Sequence, residues 1–335
     1  MRPMTLAVSA ALLAAGAAHA EDKPVLTIYT YDSFVSDWGP GPQIETAFEA
    51  TCDCDLQFVG AGDGAALLAR LRLEGERSEA DIVLGLDTNL TAAAAETGLF
   101  ATHGQDAATL DSALNLLPVA WEDDVFVPYD WGYFAFVHNA DMADVPTDFR
   151  ALAASDTKIL IQDPRSSTPG LGLLLWVKAA YGDEAAEIWE ALSDNIVTVT
   201  KGWSEAYGLF LEGEADMVLS YTTSPAYHLI AEEDTSKAAA AFNEGHYMQI
   251  EVAAKLAATD QPELADDFLS FMLTSGFQSV IPTTNWMYPV AEPEGGLPSG
   301  FETLVQPGTV LIFPAGRVPD TREEALDEWR AALSR

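Results

Sequence analysis

Basic residues are scarce in this sequence: 16 lysines and arginines stand against 52 aspartates and glutamates, for a formal net charge of −36. A surface that acidic repels nucleic acid and anionic lipid and keeps copies of the chain apart, so neither partner is expected and a monomer is. It suits a cationic ligand or a saline habitat equally well. Cysteine is nearly missing. The only two, Cys52 and Cys54, sit in C-D-C, a spacing open to a strained local bridge or to two free thiols. No apolar run is long enough to cross a bilayer. The usual signatures of catalysis are absent as well: there is no G-x-S-x-G, H-E-x-x-H, G-x-G-x-x-G or P-loop. The histidines past the leader, His103, His138, His228 and His246, are scattered without zinc spacing. No catalytic residue, metal site or cofactor is expected, and the chain reads as a binder.

What is present reads as an α/β protein of 335 residues. It opens as an export signal: Met1-Arg2, an apolar run from Thr5 to Ala17, and the small-x-small pattern Ala18-His19-Ala20. Residues 1–20 are therefore expected to be removed and the mature chain to start at Glu21. Strand-like Val25–Tyr29, Leu56–Val59 and Asp81–Leu84 then alternate with helix-like Gln43–Ala50 and Ala65–Glu74, the pattern of a parallel sheet. An internal echo follows. Leu73-Glu74-Gly75-Glu76, leading to Asp81-Ile82-Val83-Leu84, recurs as Leu211-Glu212-Gly213-Glu214-Ala215-Asp216-Met217-Val218-Leu219, too far off for a solenoid period. One helix–turn–strand unit used twice predicts two lobes of like architecture. Two strands, Phe126–Val137 and Met248–Ala254, are expected to cross between them as a hinge. The expected division is 21–128 for the first lobe, 129–250 for the second, 251–300 returning to the first, and 301–335 as a helical tail packed on the second, capped at Asp320 or Thr321.

The densest chemistry lies between Val197 and Tyr227. This stretch reads as a strand, a Lys-Gly-Trp turn, an amphipathic helix capped by Ser204, and a second strand ending at Tyr221. Ligands bind at such strand ends in open α/β sheets, and these ends release Trp203, Tyr221, Thr222, Thr223, Ser224 and Tyr227. Ser166-Ser167-Thr168-Pro169-Gly170 follows the strand Lys158–Gln162 and starts a helix, with Thr168 as N-cap and Pro169 at its first position. The free N–H groups there serve as a cap alone or as a site for an anion or hydroxyl. Asp63-Gly64 has the same two readings, the sharper being a carboxylate that faces an amino group or a cation. Trp38 and Trp286 also stand beside turns. Together with Trp203, Tyr221 and Tyr227 they compose an aromatic cage, each cation–ring contact contributing roughly 0.5–2 kcal/mol and each ring pair roughly 0.5–1.5 kcal/mol.

Six stretches carry a family likeness: T-Y-D-S-F with D-W-G-P-G-P (30–42), Q-D-P-R-S-S-T-P-G-L-G-L-L-L-W (162–176), V-T-V-T-K-G-W-S-E-A-Y-G-L-F (197–210), L-S-Y-T-T-S-P-A-Y (219–227), E-G-H-Y (244–247) and I-P-T-T-N-W-M-Y-P-V (281–290). Over nearly the whole mature length the chain resembles the periplasmic thiamine-binding proteins of bacterial ABC importers. The resemblance implies a two-lobed periplasmic-binding-protein fold of type II, each lobe a mainly parallel sheet flanked by helices. It places thiamine contacts on Asp63 and Gly64, Ser167 and Thr168, Trp203, and Tyr221 through Ser224, with Tyr31, Trp38, Tyr227 and Trp286 as further walls. Trp131 stands where a tyrosine is expected, a departure that touches the hinge and leaves the ligand unchanged.

Thiamine joins a thiazolium cation, a flat aminopyrimidine and a hydroxyethyl arm that can carry phosphate. Aromatic faces, a carboxylate and a helix N-terminus suit these three parts. The implied function is capture of thiamine, with its mono- and diphosphate, in the periplasm and delivery to a membrane permease with its ATPase. Two alternatives stand beside it. A ferric-ion carrier of related fold uses adjacent tyrosines, which Tyr221 and Tyr227 match poorly. A thiamine-cleaving enzyme of the same architecture needs a cysteine nucleophile, and Cys52 and Cys54 lie away from the expected strand ends.

Overall fold

A computed structural model describes residues 23–334, so the expected export signal lies outside the described residues. Strand β1 (Val25–Thr30) leads through a Gly-Pro loop to helix α1 (Gly41–Glu49), then β2 (Asp55–Gly60), α2 (Gly64–Glu74) and β3 (Ile82–Asp87). β1 pairs in parallel with both β2 and β3, giving the order 2-1-3. Two short helices, α3 (Thr91–Ala95) and α4 (Ala107–Ala113), precede the long strand β4 (Val127–Asn139) and α5 (Phe149–Ala153). The pattern then recurs with β5 (Ile159–Gln162), α6 (Thr168–Tyr181), α7 (Ala185–Leu192), β6 (Ile196–Thr200), α8 (Trp203–Leu211) and β7 (Met217–Tyr221). β5 is parallel to β6 and β7, and the order is 6-5-7. The two half-sheets therefore share one topology.

The echo in the sequence has a structural cause. Asp81 accepts the N–H of Thr27 at 2.8 Å and Asp216 that of Lys158 at 2.7 Å, so each carboxylate fastens one strand to its parallel neighbour. Each unit also turns on a glycine at positive φ, Gly75 at 59° and Gly213 at 85°, where a side chain would strain the backbone.

After α9 (Pro225–Ala231) and β8 (Lys237–Ala239), strand β9 (His246–Lys255) returns to the first half-sheet. The start of β4 pairs with β9 from Val127 to Tyr133, and its end pairs with β7 from Phe134 to His138, both antiparallel. β9 also pairs with β3, so the sheet runs β2-β1-β3-β9-β4-β7-β5-β6. Both expected crossing segments fall on these strands. Every residue of β3 and β9 is buried, as in strands covered on both faces. The remaining elements are α10 (Pro262–Phe271), α11 (Ser275–Gln278), β10 (Tyr288–Pro289), β11 (Val310–Leu311) and α12 (Val318–Leu333). α12 packs on α6 and α7, and the buried ammonium of Lys178 reaches Glu324 at 3.1 Å and Glu328 at 2.7 Å.

Several local expectations need correction. Ser167, not Thr168, is the N-cap of α6, and Gly202, not Ser204, is that of α8. The terminal helix starts at Val318 after Arg317, ahead of Asp320 and Thr321, because Pro319 in a first turn removes no helical hydrogen bond. Of the two states open to the cysteines, the structure has the bridge: Cys52 and Cys54 form a disulfide in the turn before β2, with Cα atoms 5.4 Å apart.

Candidate functional site

The chain leaving the ends of β1, β2, β5, β6 and β7 converges on one cavity of about 280 Å³, at the lower end of small-molecule sites. Its wall includes Tyr31, Trp38 and Asp63 from the first half-sheet, Thr168, Trp203, Tyr207, Tyr221, Ser224 and Tyr227 from the second, and Glu251, Asn285 and Trp286 near the crossing strands. Among the described residues, no lysine, arginine or histidine lines it.

One side of the cavity is closed by hydrogen bonds between the half-sheets. Asp63 caps α2 through its backbone alone, because its carboxylate turns across to accept Ser167 Oγ–H at 2.7 Å and the N–H of Trp203 at 3.1 Å. Thr168 Oγ1 in turn accepts the N–H of Gly64 at 3.1 Å. Three helix starts thus meet around one carboxylate, which suits their positive ends. Burial nonetheless raises the Asp63 pKa above its ordinary value, while Ser167 and Trp203 pull it back. Gly64 is required by closeness. A Cβ there would stand 2.7 Å from Thr168 Oγ1 and 2.9 Å from the carbonyl oxygen of Gly85.

Rings form the rest of the wall. Trp203 stacks on Tyr207 at 5.0 Å, and its indole N–H donates to Ser220 Oγ at 2.8 Å, which is tied to Ser224 Oγ at 2.7 Å. Trp38 faces Trp203 across the mouth at 6.3 Å and is 53% exposed, so one ring of the pair is free to meet a ligand. Tyr227 meets Trp286 edge-on at 5.5 Å. Trp286 ends a single π-turn, Ile281–Asn285, in the left-handed region at φ 57°, a strain of about 1–3 kcal/mol that recurs at binding sites.

At the inner end lies an acidic network. Glu251 Oε2 accepts Tyr129 O–H at 2.5 Å and Tyr31 O–H at 2.9 Å. Asn285 Nδ2 donates to Asp130 at 2.6 Å and to Tyr31 Oη at 2.9 Å. Burial pushes Glu251 up to about 7, and burial plus the Glu251 charge pushes Asp130 well above the carboxylate range. Chemically, the site offers ring faces, hydroxyls and negative charge, a set that suits a flat cation.

The model of bacterial extracellular solute-binding proteins matches residues 35–279. The chain belongs to that family. Among its relatives, the thiamine-binding periplasmic protein of Escherichia coli (strain K12) is 55% identical over 316 residues, covering 93% of this chain and 94% of the relative. That of Brucella melitensis biotype 1 is 50% identical over 335 residues, covering 99% and 98%. Among solved structures, a periplasmic thiamin binding protein aligns with a TM-score of 0.89 at 55% identity, covering 93% of this chain and 97% of that one. The ferric binding protein from Campylobacter jejuni aligns at 0.73 with only 18% identity, a likeness of fold alone.

Of the residues that sequence and resemblance single out, this solute-binding protein brings Tyr31, Trp38, Asp63, Thr168, Trp203, Tyr221, Ser224, Tyr227 and Trp286 onto one wall. Gly64, Ser167, Thr222 and Thr223 are buried behind it. Gly64 and Ser167 act through their bonds to Thr168 and Asp63. Thr222 and Thr223 turn inward because the Thr222 N–H bonds Tyr133 O at 2.9 Å and Thr223 Oγ1 lies against Met287 Sδ at 3.7 Å. The Asp63 carboxylate also differs from the sharper expectation, since it engages protein donors from the other half-sheet. Sequence reasoning missed Tyr207, Glu251, Asn285 and Met287 on the wall. The cystine lies off the wall, and Tyr227 O–H is bonded to Glu232 at 2.9 Å.

Proposed function

We propose that this chain is the capturing component of an ABC importer, one that holds thiamine in the periplasm and passes it to a membrane permease with its ATPase. The observation that carries the reading is the cavity: indole and phenol faces from both half-sheets surround an interior with carboxylates and, among the described residues, no basic group. A thiazolium beside such rings gains roughly 0.5–2 kcal/mol per face, and an aminopyrimidine stacks on the same walls. The relatives named as thiamine-binding share about half of this sequence from end to end. In this reading residues 21–128 and 251–300 form one lobe and 129–250 the other, with 301–335 on the second. β4 and β9 are the hinge, and the bonds from Asp63 to Ser167 and Trp203 belong to the closed form. The phosphate esters carry the same two rings and are taken as further cargo. The protein works as a monomer with residues 1–20 removed on export.

Calorimetry of the mature protein with thiamine, thiamine monophosphate and thiamine diphosphate tests this directly. Binding at micromolar or tighter affinity, about −8.2 kcal/mol or better, is expected. Native mass spectrometry of freshly purified protein should show the retained ligand. No heat with any of the three, and no added mass, overturns the proposal.

A further inference from the structure

Asp130 and Glu251 face each other as register partners on β4 and β9. Both are buried, at 0% and 6% exposure. Like charges placed directly opposite on adjacent strands repel, and a low-dielectric surrounding strengthens the repulsion. The neighbours do not supply a counter-charge. Glu251 accepts from Tyr129, Tyr31 and, at 2.8 Å, Gln249 Nε2, while Asp130 accepts from Asn285 through Oδ2 alone. Asp130 Oδ1 and Gln249 Oε1 are buried without a partner. The other titratable groups facing this region are Asp87 at the end of β3, Asp63, and the phenols of Tyr31, Tyr129 and Tyr221, all acidic or neutral. Arg322 acts on Asp87. Among the described residues, no lysine, arginine or histidine forms an ion pair with Asp130 or Glu251.

Two buried carboxyl groups in that position cannot both ionise cheaply, so a proton stays with the pair unless another positive charge arrives. Glu251 is the member that reaches the cavity wall. We infer that the Asp130–Glu251 pair reads the charge of the ligand: the empty site holds one proton on the pair, and a cationic ligand enters by displacing it. The carboxyl O–H bond breaks, the proton leaves to solvent through the cavity mouth, no bond forms to the ligand, and nothing is oxidised. The upward displacement of both groups agrees with this arrangement. A neutral molecule of the same shape leaves the proton in place and forgoes the exchange. The inference rests on the cavity's being a site for thiamine and adds how that site tells a cation from its uncharged isostere.

The test is calorimetry of thiamine binding to the whole mature protein, in two buffers of different ionisation enthalpy, at several pH values from about 5 to 8. Release approaching about one proton per ligand is expected below neutrality, with affinity rising up to about tenfold per pH unit and levelling above about pH 7. Deazathiamine, in which a neutral thiophene replaces the thiazolium, should release none. In Glu251→Gln the proton release and the pH slope should shrink and move to lower pH, because Asp130 keeps its burial but loses its like-charged neighbour, and the affinity ratio of thiamine to deazathiamine should fall at least tenfold. If that variant does not fold, Asp130→Asn should move the release to lower pH, because the remaining carboxyl loses its like-charged neighbour. Thiamine binding with no proton exchange, or an unchanged slope in either variant, overturns the inference while leaving the function intact. No binding of thiamine at all overturns the function, and the inference falls with it.

Discussion

Asp63→Ala is the sharpest perturbation of the closed arrangement. The carboxylate accepts one bond from Ser167 Oγ and one from the Trp203 N–H, both across the cavity from its own half-sheet. Truncation leaves two donors without an acceptor, at about 1–3 kcal/mol each where they stay dry. Burial of the carboxylate works against this, as its raised pKa records, so the net loss is placed at about 2–4 kcal/mol. If the lobes open, water reaches both donors, and the loss falls on closure rather than on folding. Thiamine affinity should then drop roughly 30- to 1,000-fold while the melting temperature of the empty protein changes little. Asp63→Asn keeps one carbonyl acceptor of the same shape and should recover about half of the lost free energy. The assay is calorimetry of each variant beside thermal unfolding without ligand. An affinity within threefold of wild type refutes the reasoning, and so does a fall in empty-state stability as large as the loss in binding.

Trp203→Ala removes the ring that stacks on Tyr207 and faces Trp38, and should weaken thiamine binding at least tenfold by calorimetry; unchanged affinity would remove Trp203 from the site. Gly64→Ala forces a Cβ against Thr168 Oγ1 and the Gly85 carbonyl, and should cost at least about 1–3 kcal/mol of binding, with the effect absent if the two half-sheets never come this close. Glu251 and Asp87 each have a folded pKa of about 7, raised by burial. The folded protein therefore holds protons that the unfolded chain has already lost. Its stability without ligand should fall from about pH 4.5 to about pH 7, by up to roughly 1.4 kcal/mol per pH unit for each group, and then level off. Melting curves at high salt, which screens the surface acids, would contradict this by rising across that window.

How much was legible beforehand depended on whether a residue's role is local. Trp203, Tyr221 and Ser224 follow strand ends in the chain itself, so the strand pattern places them at the site's edge. The echo of Asp81 in Asp216 was legible because both ends of each unit, the glycine turn and the strand clamp, lie within one short segment. Thr222 and Thr223 looked equal to Ser224. Their inward turn rests on partners far off in sequence, Tyr133 O for the Thr222 N–H and Met287 Sδ for Thr223 Oγ1. Glu251 gave no local signal, since an acid within Gln249-Ile250-Glu251-Val252 is as consistent with an exposed strand face. Its meaning comes from register with Asp130, which the pairing of β4 and β9 sets. Asn285 and Trp286 depend on a π-turn and a left-handed tryptophan, conformations that propensity argues against.

The repeated unit also explains why an acid stands where it does. In each half-sheet the chain leaves the outer strand, β2 or β6, at the cavity and enters a helix there, α2 at Gly64 and α8 at Trp203. Folding the halves together brings the two equivalent helix starts, and that of α6, toward one another with their positive ends inward. Left alone, those ends would repel and their free N–H groups would lose water. Asp63 is the N-cap of α2 and Gly202 is its counterpart before α8, so one position carries a charge and the other only space. A Cβ at Gly202 would stand 3.3 Å from both carboxylate oxygens. The asymmetry therefore has a physical basis: a single carboxylate satisfies the facing helix start, and a second side chain would crowd it. What remains open at the cavity is the aromatic side, which has rings from both halves and, among the described residues, no cation of its own.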